Sequence, residues 1–176
     1  PAPGAEDARA SVVKRFNQHR FALLAACCAV TVLLLAPFLT RDLILFNHSP
    51  SVPGGFYIRT GQPLERGMLA TVRALDVAPE MAHERGYDGE DDRFIKRIAA
   101  LGGQTVCGDG ETVSVDGRVA ATVYRAEGRA APSGWVGCRT LSADEILLLG
   151  DSADSFDGRY WGPVSVRVIE GVWRPL

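Results

Sequence analysis

Nineteen consecutive residues without a charge, Phe21 to Leu39, constrain this chain more than any other feature. As a helix the run extends roughly 28 Å at ~1.5 Å per residue, close to the hydrocarbon thickness of a bilayer. A cleavable secretory signal has a shorter apolar region and a small-residue cleavage site, whereas Pro37, Phe38, Leu39, Thr40 and Arg41 close this one. A core helix that is apolar all round is unusual in so small a protein. The run is therefore expected to be an uncleaved transmembrane helix. Arg9, Lys14, Arg15 and Arg20 precede it, while the twenty residues after it carry only Arg41 and Arg59. That basic excess puts the N-terminal end in the cytoplasm. The expected layout is a cytoplasmic segment at 1–20, an anchor at 21–39 and an exported domain at 40–176. In a bacterium this is a single-pass inner-membrane protein with its domain in the periplasm.

Composition narrows the function of that domain. At 176 residues there is room for one ordinary domain plus the anchor. With 47% hydrophobic and 23% charged residues the chain is globular, and a net charge of -2 carries no nucleic-acid footprint. No Cys/His grouping has metal-ligand spacing, and the glycines are scattered through turns, so neither metal nor cofactor is expected. Cys27 and Cys28 sit in the apolar run, whereas Cys107 and Cys138 lie in the exported part, where oxidation is permitted. A bond between the latter two would close a loop of about thirty residues and stabilise by roughly 3–4 kcal/mol on loop entropy.

From Leu43 onward the patterns are mostly strands. Stretches Leu43–Asn47, Gly55–Thr60, Met68–Leu75, Arg93–Leu101, Gln104–Cys107, Thr112–Val115, Arg118–Tyr124, Glu145–Leu149 and Val164–Arg174 are rich in β-branched and aromatic residues. Asp116-Gly117 between two of them is a hairpin signal, because a type I′ turn needs positive φ at both central positions. Many short strands with Gly/Pro turns predict a mainly β, closed or partly closed architecture. The acidic stretch at 76–92, with Pro79, Gly86 and Gly89, breaks the pattern. It is expected to be an insertion carrying a short helix at Pro79–Arg85.

Three stretches carry chemistry. Ser51 follows Pro50 and precedes Val52-Pro53-Gly54-Gly55, so the backbone there cannot continue as helix or central strand, and the hydroxyl is exposed together with its own N–H. Lys96 lies in Arg93-Phe94-Ile95-Lys96-Arg97-Ile98, and alternation puts its amine on one face with Phe94 and Ile98, where desolvation lowers a lysine pKa. The third stretch is Gly150-Asp151-Ser152-Ala153-Asp154-Ser155-Phe156-Asp157-Gly158-Arg159. A serine is a poor nucleophile alone, and a lysine serves as its base only when held neutral. His19, His48 and His83 are scattered, and His48 is too close in sequence to Ser51 for the usual triad geometry, so a histidine base is not expected.

Together these stretches resemble the Ser/Lys-dyad signal peptidases, and among them the TraF-type peptidases of conjugative transfer systems. The resemblance also takes in Glu84-Arg85-Gly86-Tyr87, Gly137-Cys138-Arg139 and the C-terminal Pro175-Leu176. It implies a signal-peptidase-like β-rich domain in which Ser51 is the nucleophile and Lys96 the base. Ser49 would join the backbone N–H of Ser51 in an oxyanion hole, Ser155 would orient the lysine, and Asp157 with Arg159 would brace the loop as an ion pair. A cysteine pair in the region of Cys107 and Cys138 is also implied. Two departures follow the lysine strand: Gly102 stands where housekeeping members have proline, and Gln104 where they have aspartate. Gly158 replaces a serine, and the loop after Asp151 is one residue shorter. The implied partner is an exported precursor, pilin-like, with conjugation or secretion machinery nearby. Two rivals are a general leader peptidase and a non-catalytic membrane-anchored assembly scaffold, and retention of Ser51, Lys96 and Ser155 together argues against the scaffold.

Overall fold

The β-branched and aromatic stretches of the exported part become eleven strands among the described residues of a computed structural model, which cover 23–32, 42–125 and 133–176. The chain divides into two units, Pro1–Asp42 and Leu43–Leu176. In the first, residues 23–32 are helical (α1), and the Thr31 hydroxyl donates to the Cys27 carbonyl at 2.8 Å. The expected cytoplasmic segment at 1–20, and the expected anchor at 21–39 outside 23–32, lie beyond the described residues. No helix among the described residues is long and apolar enough to cross a membrane.

The second unit is mainly β. In chain order it runs β1 (Ile44–Asn47), β2 (Gly55–Thr60), β3 (Leu69–Arg73), α2 (Ala74–Val77), α3 (Pro79–His83), β4 (Arg93–Ala100) and β5 (Thr105–Asp109). There follow β6 (Thr112–Val115), β7 (Arg118–Thr122), β8 (Val136–Thr140), β9 (Glu145–Leu149), α4 (Gly158–Trp161), β10 (Val164–Ser165) and β11 (Ile169–Pro175). One sheet has the order β1-β2-β11-β3-β4-β9-β10 and a second the order β7-β6-β5-β8. Among the described residues the ends of neither order pair with each other, so both sheets are open. Strand β4 lies inside the larger sheet, with Ala70 opposite Lys96 on one side and Leu149 opposite Arg97 on the other.

Alternation on β4 decides which side chains meet. Phe94 and Ile98 enter a core with Val72, Ile146 and Leu148, while Ile95 packs on the opposite face with Val52, Tyr57, Leu69 and Trp173. A third cluster, around Val106, Val113, Leu141 and Leu147, lies against the four-stranded sheet. Burying a Val, Leu, Ile or Phe side chain contributes ~1.5–3 kcal/mol, so these clusters hold β4 and its neighbours firmly.

Local sterics explain the details. Asp116 (φ 50°) and Gly117 (φ 76°) join β6 to β7 with both residues left-handed, the conformation that an Asp-Gly I′ turn demands. Pro79 opens α3, where its missing N–H costs nothing. The strand expected over Met68–Leu75 stops at Arg73 because α2 takes over, and the run expected over Val164–Arg174 is split by a 3₁₀ turn at Val166–Val168. Strand β8 has too few apolar residues to be recognised alone; it forms because Cys138 pairs opposite Cys107, and the two are joined by a disulfide.

The two departures after β4 have a structural reason. A Cβ at Gly102 would lie 2.6 Å from the Ser142 carbonyl oxygen and 2.7 Å from Ala143 Cα, so glycine admits the neighbouring loop. Gln104 shapes the turn itself, with Oε1 accepting from the Leu101 N–H at 3.1 Å and Nε2 donating to Asp116 at 2.7 Å.

Candidate active site

Ser51 lies in the turn between β1 and β2, and that turn is held from below by a residue the sequence did not single out. Asn47, buried at the end of β1, donates from Nδ2 to the carbonyls of Ser49 (2.9 Å), Val52 (3.0 Å) and Pro53 (3.1 Å). Its Oδ1 accepts from the Ser49 N–H at 3.0 Å. A polar residue where the alternating pattern of a strand runs into a Pro/Gly turn is the signal that could have found it. The Ser51 N–H points at Ser49 Oγ, 3.3 Å away, so two groups able to donate to a developing oxyanion sit side by side. Ser49→Ala should therefore slow any acyl transfer at this turn by about 10²–10³-fold with little change in stability, read from single-turnover rates and thermal melts.

The turn is tied to the lysine strand through its carbonyl. The Asp151 N–H donates to the Ser51 carbonyl at 2.6 Å. The Asp151 carboxylate in turn is gripped by Arg97, Nε to Oδ1 at 2.8 Å and Nη2 to Oδ2 at 2.6 Å. Arg97 is the residue after Lys96, so the Ser51 turn and the Lys96 amine share one strand as their reference.

Lys96 projects from the middle of β4 and is 3% exposed. Its Nζ donates to Ser155 Oγ at 3.0 Å and stands 5.6 Å from the Phe94 ring centroid. Burial lowers its pKa to about 8; the Arg159 cation adds to the lowering, while the Asp157 and Asp154 carboxylates oppose it. A fully exposed lysine would be almost entirely charged at neutral pH, whereas this amine is about one-tenth neutral at pH 7.

The loop that presents Ser155 is built around a buried ion pair. Asp157 is fully buried and Arg159 is 3% exposed. One Asp157 oxygen accepts from the Gly150 N–H at 2.6 Å and from Arg159 Nη2 at 2.8 Å, and the other from the Arg159 N–H and Nε. Arg159 also donates to the carbonyls of Gly150, Ser152, Ala153 and Thr122. Each of these groups is paired, which is what makes a buried charge tolerable. Two glycines allow the close approach. A Cβ at Gly150 would collide with Ser155 Oγ and reach 2.9 Å from the Ser51 carbonyl oxygen, and one at Gly158 would meet the Leu148 carbonyl oxygen at 2.6 Å.

Ser49, Ser51, Lys96 and Ser155 thus all line one cavity of about 510 Å³, with Phe46, Tyr87, Ile95 and Phe156 among its other walls. Among the described residues no hydrogen bond joins Ser51 Oγ to Lys96 Nζ; the amine is engaged with Ser155. Chemically the cavity offers a hydroxyl nucleophile, an amine that can be neutral and two donors for an oxyanion.

Comparison with known proteins shows the family of the chain. The family model of signal peptidase, peptidase S26, matches residues 16–175. A plasmid transfer protein TraF from Escherichia coli is 33% identical over 142 residues, covering 74% of this chain and 80% of the relative. Another plasmid transfer protein TraF from Escherichia coli is 32% identical over 170 residues, 89% of this chain and 95% of the relative. The crystal structure of a signal peptidase I from Enterococcus faecalis aligns with a TM-score of 0.38 and 20% identity, over 64% of this chain and 98% of that one. With a family match along nearly the whole chain and two relatives above 30% identity, the chain belongs to the signal peptidase family, peptidase S26, as a TraF-type signal peptidase.

Proposed function

We propose that this chain is a membrane-anchored serine endopeptidase in which Ser51 attacks the scissile carbonyl and Lys96 takes its proton. One observation carries the reading: a lysine amine, buried and hydrogen-bonded to Ser155, opens onto the same cavity as Ser49 and Ser51. The bond from Ser51 Oγ to the carbonyl carbon forms as its proton passes to neutral Nζ. The Ser51 N–H and the Ser49 hydroxyl turn to the oxyanion, and the leaving amine departs with the proton from Lys96. Water, or an amine of the substrate itself, then opens the acyl-enzyme and frees Ser51.

The substrate class follows from the family and from the apolar run at 21–39, which supports an enzyme held at the periplasmic face of the inner membrane with its N-terminus in the cytoplasm. Exported precursors presented at that surface are the substrates, cleaved after small residues. The two TraF relatives support a role in plasmid conjugation, with a pilin-like precursor as substrate. Incubating the purified full chain with candidate pilin precursors and reading intact mass tests this. A linear product indicates hydrolysis, a product lighter by one water indicates cyclisation, and no product with any precursor would sink the proposal.

The pH profile tests the base. As pH rises through the Lys96 pKa the amine loses its proton and becomes competent, so kcat/KM should climb along an acid limb near pH 8. His48, which lines the same cavity, should leave that limb in place when replaced by alanine. A limb that vanished in His48→Ala would show that the lysine is not the base.

A further inference from the structure

The Glu84-Arg85-Gly86-Tyr87 run has no part in the chemistry described above, yet it reaches the dyad. Segment 74–92 carries α2, α3 and the loop that returns to β4. Gly86 (φ 73°) closes α3, with the N–H groups of Arg85 and Tyr87 both donating to the Ala82 carbonyl. That left-handed turn sends Arg85 and Tyr87 onto two aromatic rings beside the lysine. The Arg85 guanidinium lies 4.0 Å from the centroid of Phe156, and Tyr87 meets the edge of Phe94 at 5.1 Å.

Those rings are the neighbours of the base. Phe94 is two residues before Lys96 on the same face of β4, and Phe156 follows Ser155 directly in the chain. Phe94 and Phe156 touch edge to face at 5.6 Å, and Trp161 backs both, at 5.7 and 4.9 Å. Tyr160 also packs on Phe156 at 5.6 Å, and Arg85 and Tyr87 of the 74–92 segment cover the same two rings. We propose that Arg85 and Tyr87 are positioning residues for the dyad: they latch Phe156 and Phe94 in place, and so keep Ser155 on the lysine and water off its amine.

The proposal rests on the peptidase reading for its use in catalysis, but its physical claim concerns the burial of Lys96 alone. The charged groups facing that amine are Asp154, Asp157 and Arg159 of the loop, with Asp91, Asp92 and Arg93 of the returning segment and His48 of the nucleophile turn around the same cavity. Opposite Lys96 on strand β3 stands Ala70, which carries no charge. Replacing Arg85 and Tyr87 leaves all of these in place, so a change in the titration of Lys96 reports hydration, with one direct charge removed at Arg85. Removing that cation by itself can only raise the lysine pKa slightly, and Arg85→Gln measures this contribution.

The chain has two lysines, Lys14 and Lys96, which makes a direct measurement simple. With ¹³C-labelled lysine in the full-length Ser51→Ala protein, NMR follows the Lys96 Cε shift against pH without any need for cleavage. The parent should titrate near 8. Arg85→Ala/Tyr87→Ala should titrate about one pH unit higher, toward free lysine. Arg85→Lys/Tyr87→Phe should restore the parental midpoint, and Glu80→Ala, exposed on α3, should not move it. In the active chain the same double variant should carry its acid limb upward by the same amount, with kcat at pH 7 reduced about tenfold. Should the double variant fail to fold, Tyr87→Ala alone is the milder arm with the same expected direction. An unmoved Lys96 midpoint in a folded variant overturns the latch, whereas a moved midpoint in a protein that cleaves no precursor overturns the peptidase reading and leaves the latch standing.

Discussion

Lys96→Met should abolish precursor cleavage and at the same time make the domain more stable. The loss follows from the proposed mechanism: without the Lys96 amine the Ser51 hydroxyl loses its proton acceptor, and removing one member of a catalytic nucleophile–base pair costs roughly 10⁴-fold or more. The gain follows from linkage. Burial brings the Lys96 pKa down to about 8 in the fold from 10.5 for a free lysine, so the unfolded chain binds a proton that the folded chain gives up between those two pH values. Stability therefore rises as pH climbs from about 8 to 10.5, and below that window the fold carries the cost of a buried cation, about 3 kcal/mol at 1.36 kcal/mol per unit. Methionine removes that cost but leaves Ser155 Oγ without its donor, worth about 1 kcal/mol, for a net gain of about 2 kcal/mol at pH 7. Urea denaturation at pH 7 and pH 10 checks it: the advantage of Lys96→Met should shrink at the higher pH. Ser51→Ala should share the loss of activity without the gain. Turnover by Lys96→Met within tenfold of the parent would remove the lysine from the mechanism.

Asp157→Ala should be the most destabilising single change in the site, about 3–5 kcal/mol. The carboxylate is fully buried and pairs with Arg159, so alanine leaves a guanidinium with no counter-charge and the Gly150 N–H with no acceptor. The loop from Gly150 to Arg159 should then loosen, and Ser155 should leave Lys96. Arg159→Met, by contrast, leaves the Asp157 carboxylate with the N–H donors of Gly150 and of the backbone at position 159, and it should cost less. A double-mutant cycle read by denaturant midpoint measures the coupling. Equal melting of Asp157→Ala and the parent would mean the pair does not brace the loop.

Much of this molecule is legible from short-range pattern. The Asp116-Gly117 turn is dictated by the φ values that two residues can adopt, and Lys96 shares its face with Phe94 and Ile98 because a strand repeats every two residues. Ser49, Ser51, Lys96 and Ser155 could be picked out by their local settings and by resemblance, and the fold gathers all four around one cavity. Strand β8, with Gly137 and Cys138 at its centre, carries no such pattern; it exists through its partner β5. Asn47 was missed for the same reason, since its three carbonyl partners become visible only when the turn has closed over it.

By itself, the sequence determined a mainly β chain behind an apolar run, the hairpin at 116–117 and the residue types of the candidate site, because sterics and alternation act between neighbours along the chain. Only the tertiary structure decided that the Lys96 amine meets Ser155, 59 residues away, that Asp157 and Arg159 are buried as a pair, and that Arg85 and Tyr87 close over the rings beside them. Desolvation is the physical reason. The pKa of a lysine answers to every group that excludes water from it, and those groups come from β3, β4, the 74–92 segment and the loop before α4, which are assembled only when the sheet forms.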